Sequence, residues 1–375
     1  MVMTIRSHTY EIWPELKQYE DRIHYIYAGI ESTHSFDRRS TTDIVEEIRQ
    51  AIKNGKRKII FFGHSEALLT YSIFKIHRLV AVLSDELDAS NLFFTTSSID
   101  GTEAYDRFCN RIGYTGKRIN ILSCHGFERN LKNALKGIYV DTDVEPNTVK
   151  EKLFLCFNKV NREHRTLLLD HMFGLDLVND GFYSFQGQDN WFDYYNSAHC
   201  SQKYPNIKKN IDLLPLTLNI TSERTNPVDM IPDDVKYFKN TYFSIVTETL
   251  FFKDKSFGGL HYANVEDSMF LTEKTFKCFP MKHPFVLLGR TGTLKELRRI
   301  GYKTFSPYID ESYDDVDDDM LRFKMVLNEI SRLCKFSNQE WEIWSMGIKE
   351  IVDYNYNYFY GKQTYTASSL TGYFS

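Results

Sequence analysis

The segment "DSMFLTEKTFKCFPMKHPFVLLGR", Asp267 to Arg290, sets two elements back to back. Its first half opens a polar helix at Thr272-Glu273-Lys274. Its second half contains "HPFVLLG", a continuous apolar run closed by glycine, as in a strand buried on both faces. Helix capping accounts for two residues of the triplet. A threonine hydroxyl satisfies a free N–H, and a carboxylate complements the positive end of the helix dipole. Lys274 is different: an ammonium in a first helical turn is electrostatically misplaced unless an anion docks beside it, and helix starts are ready anion sites. The triplet therefore predicts a phosphate or nucleotide site, against the plainer alternative of a well-capped helix.

The same alternation extends in both directions. Upstream, "KRKIIFFGHSEALLTYSIFKIHRLVAVL" reads strand, loop, helix, with Leu69, Ile73, Ile76, Val80 and Leu83 at helical spacing. "NLFFTTSS", "RINILSCHG" and "KGIYVDTDV" are further strands with helices between them. The pattern restarts at "EKLFLCFNK" and its helix "REHRTLLLDHMFGLDL". It returns at "TYFSIVTET", the opening segment, the helix "TLKELRRIG" and a strand "YKTFSP". A stretch from about Gly181 to Pro232, rich in Asn, Asp, Tyr and Pro, reads as a long excursion. Apolar strands alternating with amphipathic helices predict an α/β fold, two Rossmann-like doubly wound domains facing a cleft. The domains expected are 1–148 and 149–336, joined near Pro146. A helix over 337–362, opened by the capping box Ser337–Glu340, is expected to pack back across them, before a tail at 363–375.

Ligands of such sheets bind beyond the carboxyl ends of the strands. That singles out Gly63–Glu66, Ser123–His125, Asn158–Arg165, Thr247–Glu248 and Thr272–Lys274. Arg162 and Arg165 bring two guanidiniums to a helix start, which a bound diphosphate would make favourable; the alternative is a solvated start with an arginine paired to Glu163 or Asp170. His64 and Glu66 offer a base for an acceptor hydroxyl, although Ser65 as a cap with Glu66 in the first turn fits as well. His125 and Glu128 compete for the same task. Asp141 and Asp143 can hold a divalent cation against a diphosphate, but directly before the linker they read as a solvated turn. Gly289–Thr293, "GRTGT", can wrap a phosphate without the ending of a Walker loop. The acidic run "DESYDDVDDD" reads as a solvent-facing loop.

"YFSIVTETL" followed by "FLTEKTFKCFPMKHPFVLLG", Tyr242 to Gly289, resembles the C-terminal signature of the α-1,3-fucosyltransferases. The resemblance implies a GT-B architecture with an acceptor-side first domain and a nucleotide-sugar-binding second domain. It implies Glu273 on the ribose hydroxyls, Lys274 on the diphosphate, Thr247 and Glu248 lining the sugar side, and Arg162 or Arg165 neutralising the leaving group. Glu248-Thr249-Leu250 stands where that family has Glu-Asn-Ser, and "MKHPF" where it has a small residue before proline. The donor sugar therefore does not carry over. The wider pattern, with "GYKTFSPYIDESYD" and the final Trp-bearing helix, is similar to glycosyltransferase-like proteins of large viruses and phages.

The totals agree with a folded two-domain chain. A length of 375 residues is ample for two cores, and 15% aromatic content argues against disorder. A net charge of −4 supplies no global basic field for nucleic acid or anionic lipid. Six scattered cysteines without a CxxC pair suit a reducing compartment, so a cytoplasmic protein is expected. No run approaches the ~20 apolar residues of a membrane span. The function expected is transfer of a sugar from a nucleotide-sugar to a glycan, protein or modified nucleic-acid hydroxyl. Inversion follows from the resemblance, and no metal or other cofactor is expected because cationic side chains would do a metal's work. Three rivals are a metal-dependent GT-A transferase using Asp141 and Asp143, a transferase acting on modified bases of phage DNA, and a non-catalytic nucleotide-binding protein.

Overall fold

Strands β1 (Ile23–Tyr27), β2 (Lys58–Gly63), β3 (Leu92–Thr96) and β4 (Asn120–Ser123) form a parallel sheet in chain order in the computed structural model. The structure describes residues 14–28, 39–63, 70–136, 149–159, 161–185, 202–218, 232–253 and 268–361. They divide into two compact units, the first running to Arg129 and including 268–270, the second taking the rest. Connections that all advance the same way place their helices on one face, because parallel crossovers are right-handed. Ile59, Phe61, Leu92 and Phe94 accordingly meet Ile44 and Ile48 of the Thr41–Lys53 helix, Ile73 and Ile76 of Thr70–Val82, and Ala104 and Phe108 of Gly101–Arg111. The alternate residues Ile60, Phe62 and Phe93 point the other way, onto Leu16 of a 3-10 turn at Pro14–Tyr19. The expected strand "KGIYVDTDV" and the junction at Pro146 lie outside the described residues.

The second sheet is wound differently. Its strands are β5 (Phe154–Cys156), β6 (Gly181–Tyr183), β7 (Phe243–Thr247) and β8 (Phe285–Leu288), all parallel, in the order β6-β5-β7-β8. The chain steps from β5 outward to β6, then returns past β5 to lay down β7 and β8 on the other side. The order thus reverses between β5 and β7, where side chains beyond the strand ends enclose a crevice in doubly wound sheets. Strand β6 and the Pro205–Lys209 helix lie within the stretch expected as an excursion, and the Pro232–Lys239 helix begins where it ends. Its signal is short because Gly181 must lack a side chain: a Cβ there would stand 2.1 Å from the Phe154 ring.

Residues 302–307, expected as a strand, pair with no strand among the described residues. The Lys303 N–H and C=O instead bond the side-chain amide of Asn355, at 2.9 and 2.8 Å. Asn355 belongs to the long Asn338–Gly361 helix, whose Ser337 and Glu340 form the expected capping box at 2.7 and 3.3 Å. Within the second unit this helix stacks Trp341 on Tyr242, with centroids 4.2 Å apart. None of the described helices is long and apolar enough to cross a membrane.

His283 precedes β8 and lies buried, with Nδ1 2.8 Å from the Ser244 hydroxyl and Nε2 3.1 Å from the Thr241 carbonyl. Burial pushes its pKa down to about 3. Once unfolded, the ring protonates near its ordinary value of about 6.5. Between those values the unfolded chain binds the extra proton, so stability falls as pH drops from 6.5 toward 3. Replacing His283→Gln is expected to remove about one proton, or ~1.4 kcal/mol per pH unit, from the acid slope of unfolding free energy measured by urea denaturation from pH 7 to 4.5.

Candidate functional site

Three segments of the second unit converge at the reversal point. Beyond β5 stand Asn158 and then Arg162, His164 and Arg165, at the start of the Glu163–Gly174 helix. Beyond β7 comes Glu248, and ahead of β8 lies the short Glu273–Phe276 helix with Thr272 at its N-cap. Asn158 and Thr247 lock the two strand ends together, since the Thr247 hydroxyl donates to Asn158 Oδ1 at 2.6 Å. The Asn158 N–H donates to the Ser184 hydroxyl just past β6 at 3.1 Å, so three strand ends share one hydrogen-bonded layer.

The two arginines occupy different situations. Arg165 is buried and donates from Nη2 to the Thr247 carbonyl at 3.0 Å. Burial, then the neighbouring Arg162, lowers its pKa to about 10. Arg162 is half-buried at the N-cap and makes no side-chain capping bond. Neither carboxylate proposed to neutralise them is disposed to do so: Glu163 pairs with Lys203, and Asp170 accepts from the N–H groups of Asn206 and Ile207, both at 2.8 Å. His164 is likewise buried, its Nε2 2.8 Å from the Glu248 carbonyl and its ring stacked on Phe251. Burial first, then Arg165, Arg162 and Lys274, holds it well below the usual imidazole range. A neutral ring facing a carbonyl carries its proton on Nε2.

Glu248 and the triplet form one hydrogen-bonded unit. The Glu248 carboxylate, 1% exposed, accepts from the Thr272 N–H at 3.0 Å and the Thr272 hydroxyl at 2.7 Å. It also accepts from the Thr275 hydroxyl at 2.6 Å and the Thr249 N–H at 3.1 Å. Lys274 Nζ rests 2.9 Å from both the Thr272 hydroxyl oxygen and Glu273 Oε1. Burial pushes the Glu273 carboxyl up, but the ammoniums of Lys274 and Lys277 outweigh it and hold the group below its ordinary value. The structure therefore brings Arg162, Arg165, Thr247, Glu248, Thr272, Glu273 and Lys274 together. Three cations and two carboxylates gather where the strand order reverses.

Other expectations fall elsewhere. His64 and Glu66, and the pair Asp141 and Asp143, lie outside the described residues. His125 and Glu128 follow β4 in the first unit, both buried, with Nδ1 3.2 Å from Oε2. The phosphate-wrapping alternative at Gly289–Thr293 is overturned, because that helix start already holds an anion of the chain itself. The Asp314 carboxylate accepts from the Leu294 and Lys295 N–H groups at 3.0 and 2.9 Å. The acidic run is thus structural: Asp314 is buried, Asp318 caps the Asp319–Leu333 helix, and Asp319 pairs with Arg322. Among the described residues no group of three or more His, Cys, Asp or Glu is placed to hold a metal.

Two contributors escaped the sequence. Thr275 stands three residues after Thr272, a spacing that puts both hydroxyls on one carboxylate. Arg322 gave no signal, lying far along the chain in a helix. Its buried guanidinium donates to the carbonyls of Gly289 at 3.2 Å, Phe251 at 2.9 Å and Val316 at 2.9 Å, which ties down the loops leaving β7 and β8.

No known family and no curated protein matches the chain. Among solved structures it is similar to the UDP-forming α,α-trehalose-phosphate synthase of Burkholderia vietnamiensis, at TM-score 0.43 and 11% identity over 95% of this chain and 76% of that one. The corresponding enzyme of Burkholderia xenovorans gives 0.42 and 11% over 95% and 76%. That of Burkholderia multivorans gives 0.40 and 11% over 92% and 72%. Likeness at this level carries no functional argument, which rests on the residues themselves.

The His164 geometry makes a direct prediction. Ring nitrogen spectra of 15N-histidine-labelled protein should show His164 neutral, with Nε2 protonated, unchanged from pH 8 to pH 5.5. A titration midpoint within that window would contradict its burial against the Glu248 carbonyl.

Proposed function

We propose that the chain is a GT-B glycosyltransferase that moves a sugar from a nucleotide-sugar to an acceptor hydroxyl, with inversion and without a metal. The observation that supports this best is the gathering of Arg162, Arg165 and Lys274 beyond β5 and β7. Like charges this close repel, and the doubly charged diphosphate of a nucleotide is the ligand whose charge such a cluster would favour.

The roles follow from accessibility. Lys274, with its side chain 25% exposed, and the half-buried Arg162 take the phosphate oxygens. Arg165, held by the Thr247 carbonyl, contributes its charge from behind without a direct contact. Glu273, which holds Lys274 through Oε1, receives the ribose hydroxyls on its other oxygen. When the acceptor oxygen bonds to the anomeric carbon, the bond from that carbon to the diphosphate oxygen breaks and its electron pair stays with the diphosphate. Preorganised cations stabilise that developing charge, usually the largest catalytic contribution. The acceptor proton goes to a general base, for which His64 or Glu66 is proposed; His125, with Glu128 beside its Nδ1, is the alternative. The acceptor class stays open among glycan, protein and modified nucleic acid.

The test is a thermal-shift panel of UDP, GDP, CMP, ADP and dTDP. A nucleotide at a hundred times its Kd stabilises by about 2.7 kcal/mol. One member should raise the melt, and Arg162→Ala should cut that rise sharply. Lys274→Ala should cut it further still, judged against the variant's own apo melt because Glu273 loses its partner. A panel that leaves the wild-type melt unmoved would refute a nucleotide site here.

A further inference from the structure

We propose that Glu248 is the positioning residue of this site, fixing the direction in which the Thr272 hydroxyl points its proton and thereby the place of the Lys274 ammonium. The inference rests on the reading above, in which Lys274 holds the diphosphate. The resemblance assigned Glu248 to the sugar, yet its carboxylate is committed elsewhere: all four of its contacts are donors from Thr249, Thr272 and Thr275.

The argument is one of hydrogen-bond polarity. A carboxylate can only accept, so the Thr272 hydroxyl at 2.7 Å must spend its proton on Glu248 Oε2. Its lone pairs are left for donors. One is the Lys274 backbone N–H at 3.4 Å, and the other is Lys274 Nζ at 2.9 Å. An ammonium has three protons and no acceptor, so it completes a chain running one way, from Lys274 through Thr272 to Glu248. Glu273 Oε1, at 2.9 Å, fixes a second proton. A long, flexible lysine is thus held before any ligand arrives, and its third proton has only the Thr249 hydroxyl at 3.5 Å, a long contact that a phosphate oxygen would replace. Preorganisation of this kind saves the ordering cost that binding otherwise carries.

Glu248→Gln changes one oxygen for an NH₂ and breaks the chain's direction. An amide nitrogen at the Oε2 position can donate to the Thr272 oxygen and compete with Lys274, while the Thr249 N–H loses the acceptor it shared with that hydroxyl. Thr272→Val cuts the same chain from its middle and serves should Glu248→Gln not fold. Two measurements separate the possibilities. The first needs no ligand: in 13C-lysine-labelled protein, the two Hε protons of Lys274 should be distinct in the wild type and collapse to one solvent-like shift in either variant. Unchanged, distinct signals in the variants would overturn the proposal. The second is calorimetric titration with the panel nucleotide that stabilises the wild type. Kd should rise at least tenfold in Glu248→Gln, and adding Lys274→Ala should then cost less than it does in the wild type, the non-additivity expected of residues acting in series. A merely structural Glu248 would leave the two losses additive. If no nucleotide binds the wild type while Lys274 still loosens, the functional reading fails and the positioning chain stands.

Discussion

A carboxylate withdrawn from water is costly, by several kcal/mol, unless donors occupy its lone pairs. Glu248, 1% exposed, is the case on which the site depends. It stands at the end of β7 and collects donors from its own successor and from Thr272 and Thr275, more than twenty residues downstream. Satisfying it requires that the Thr272–Phe276 segment come back to the end of β7. A helix of one turn, too short to be stable alone, is thereby placed against the sheet. Its first residues carry Glu273 and Lys274 with it.

The other half of the site is held through backbone carbonyls. The carbonyls of Thr247, the last residue of β7, and of Glu248 just past it are satisfied by Arg165 and His164 from the Glu163–Gly174 helix. Each donor therefore joins the segment following β5 to the segment following β7, across the place where the strand order reverses. Topology and electrostatics agree at that point. The reversal opens a crevice, and the groups that bridge its floor are cationic or neutral. Arg162 and Lys274 stand above them with partial access to water. Arg322 does the corresponding work on the outer side, where one guanidinium receives three loop carbonyls.

Much of this was legible in the sequence because it rests on local pattern. Apolar runs gave six of the eight described strands, all but β1 and β6, and the spacing of arginines, threonine and lysine at helix starts gave the residues that converge. The misses share a physical cause, which is that their partners are distant in the chain. Strand β6 has three residues and owes its place to a glycine that admits the Phe154 ring. Residues 302–307 carry a strand's composition, but Asn355 supplies the hydrogen bonds a neighbouring strand would give. Asp314 sits in an acidic run that composition assigns to solvent, whereas it is buried as the anion of the helix start at Thr293. Glu248 itself read as a sugar contact, since nothing local reveals that three threonines close around it.

The central claim is that the cations beyond β5 and β7 bind a leaving diphosphate, and a crystal structure with a nucleoside diphosphate bound tests it most directly. The account predicts a phosphate oxygen within hydrogen-bonding distance of Lys274 Nζ and of the Arg162 guanidinium, and the ribose against Glu273. A nucleotide bound elsewhere, with no phosphate oxygen near Lys274 Nζ or the Arg162 guanidinium, would contradict it.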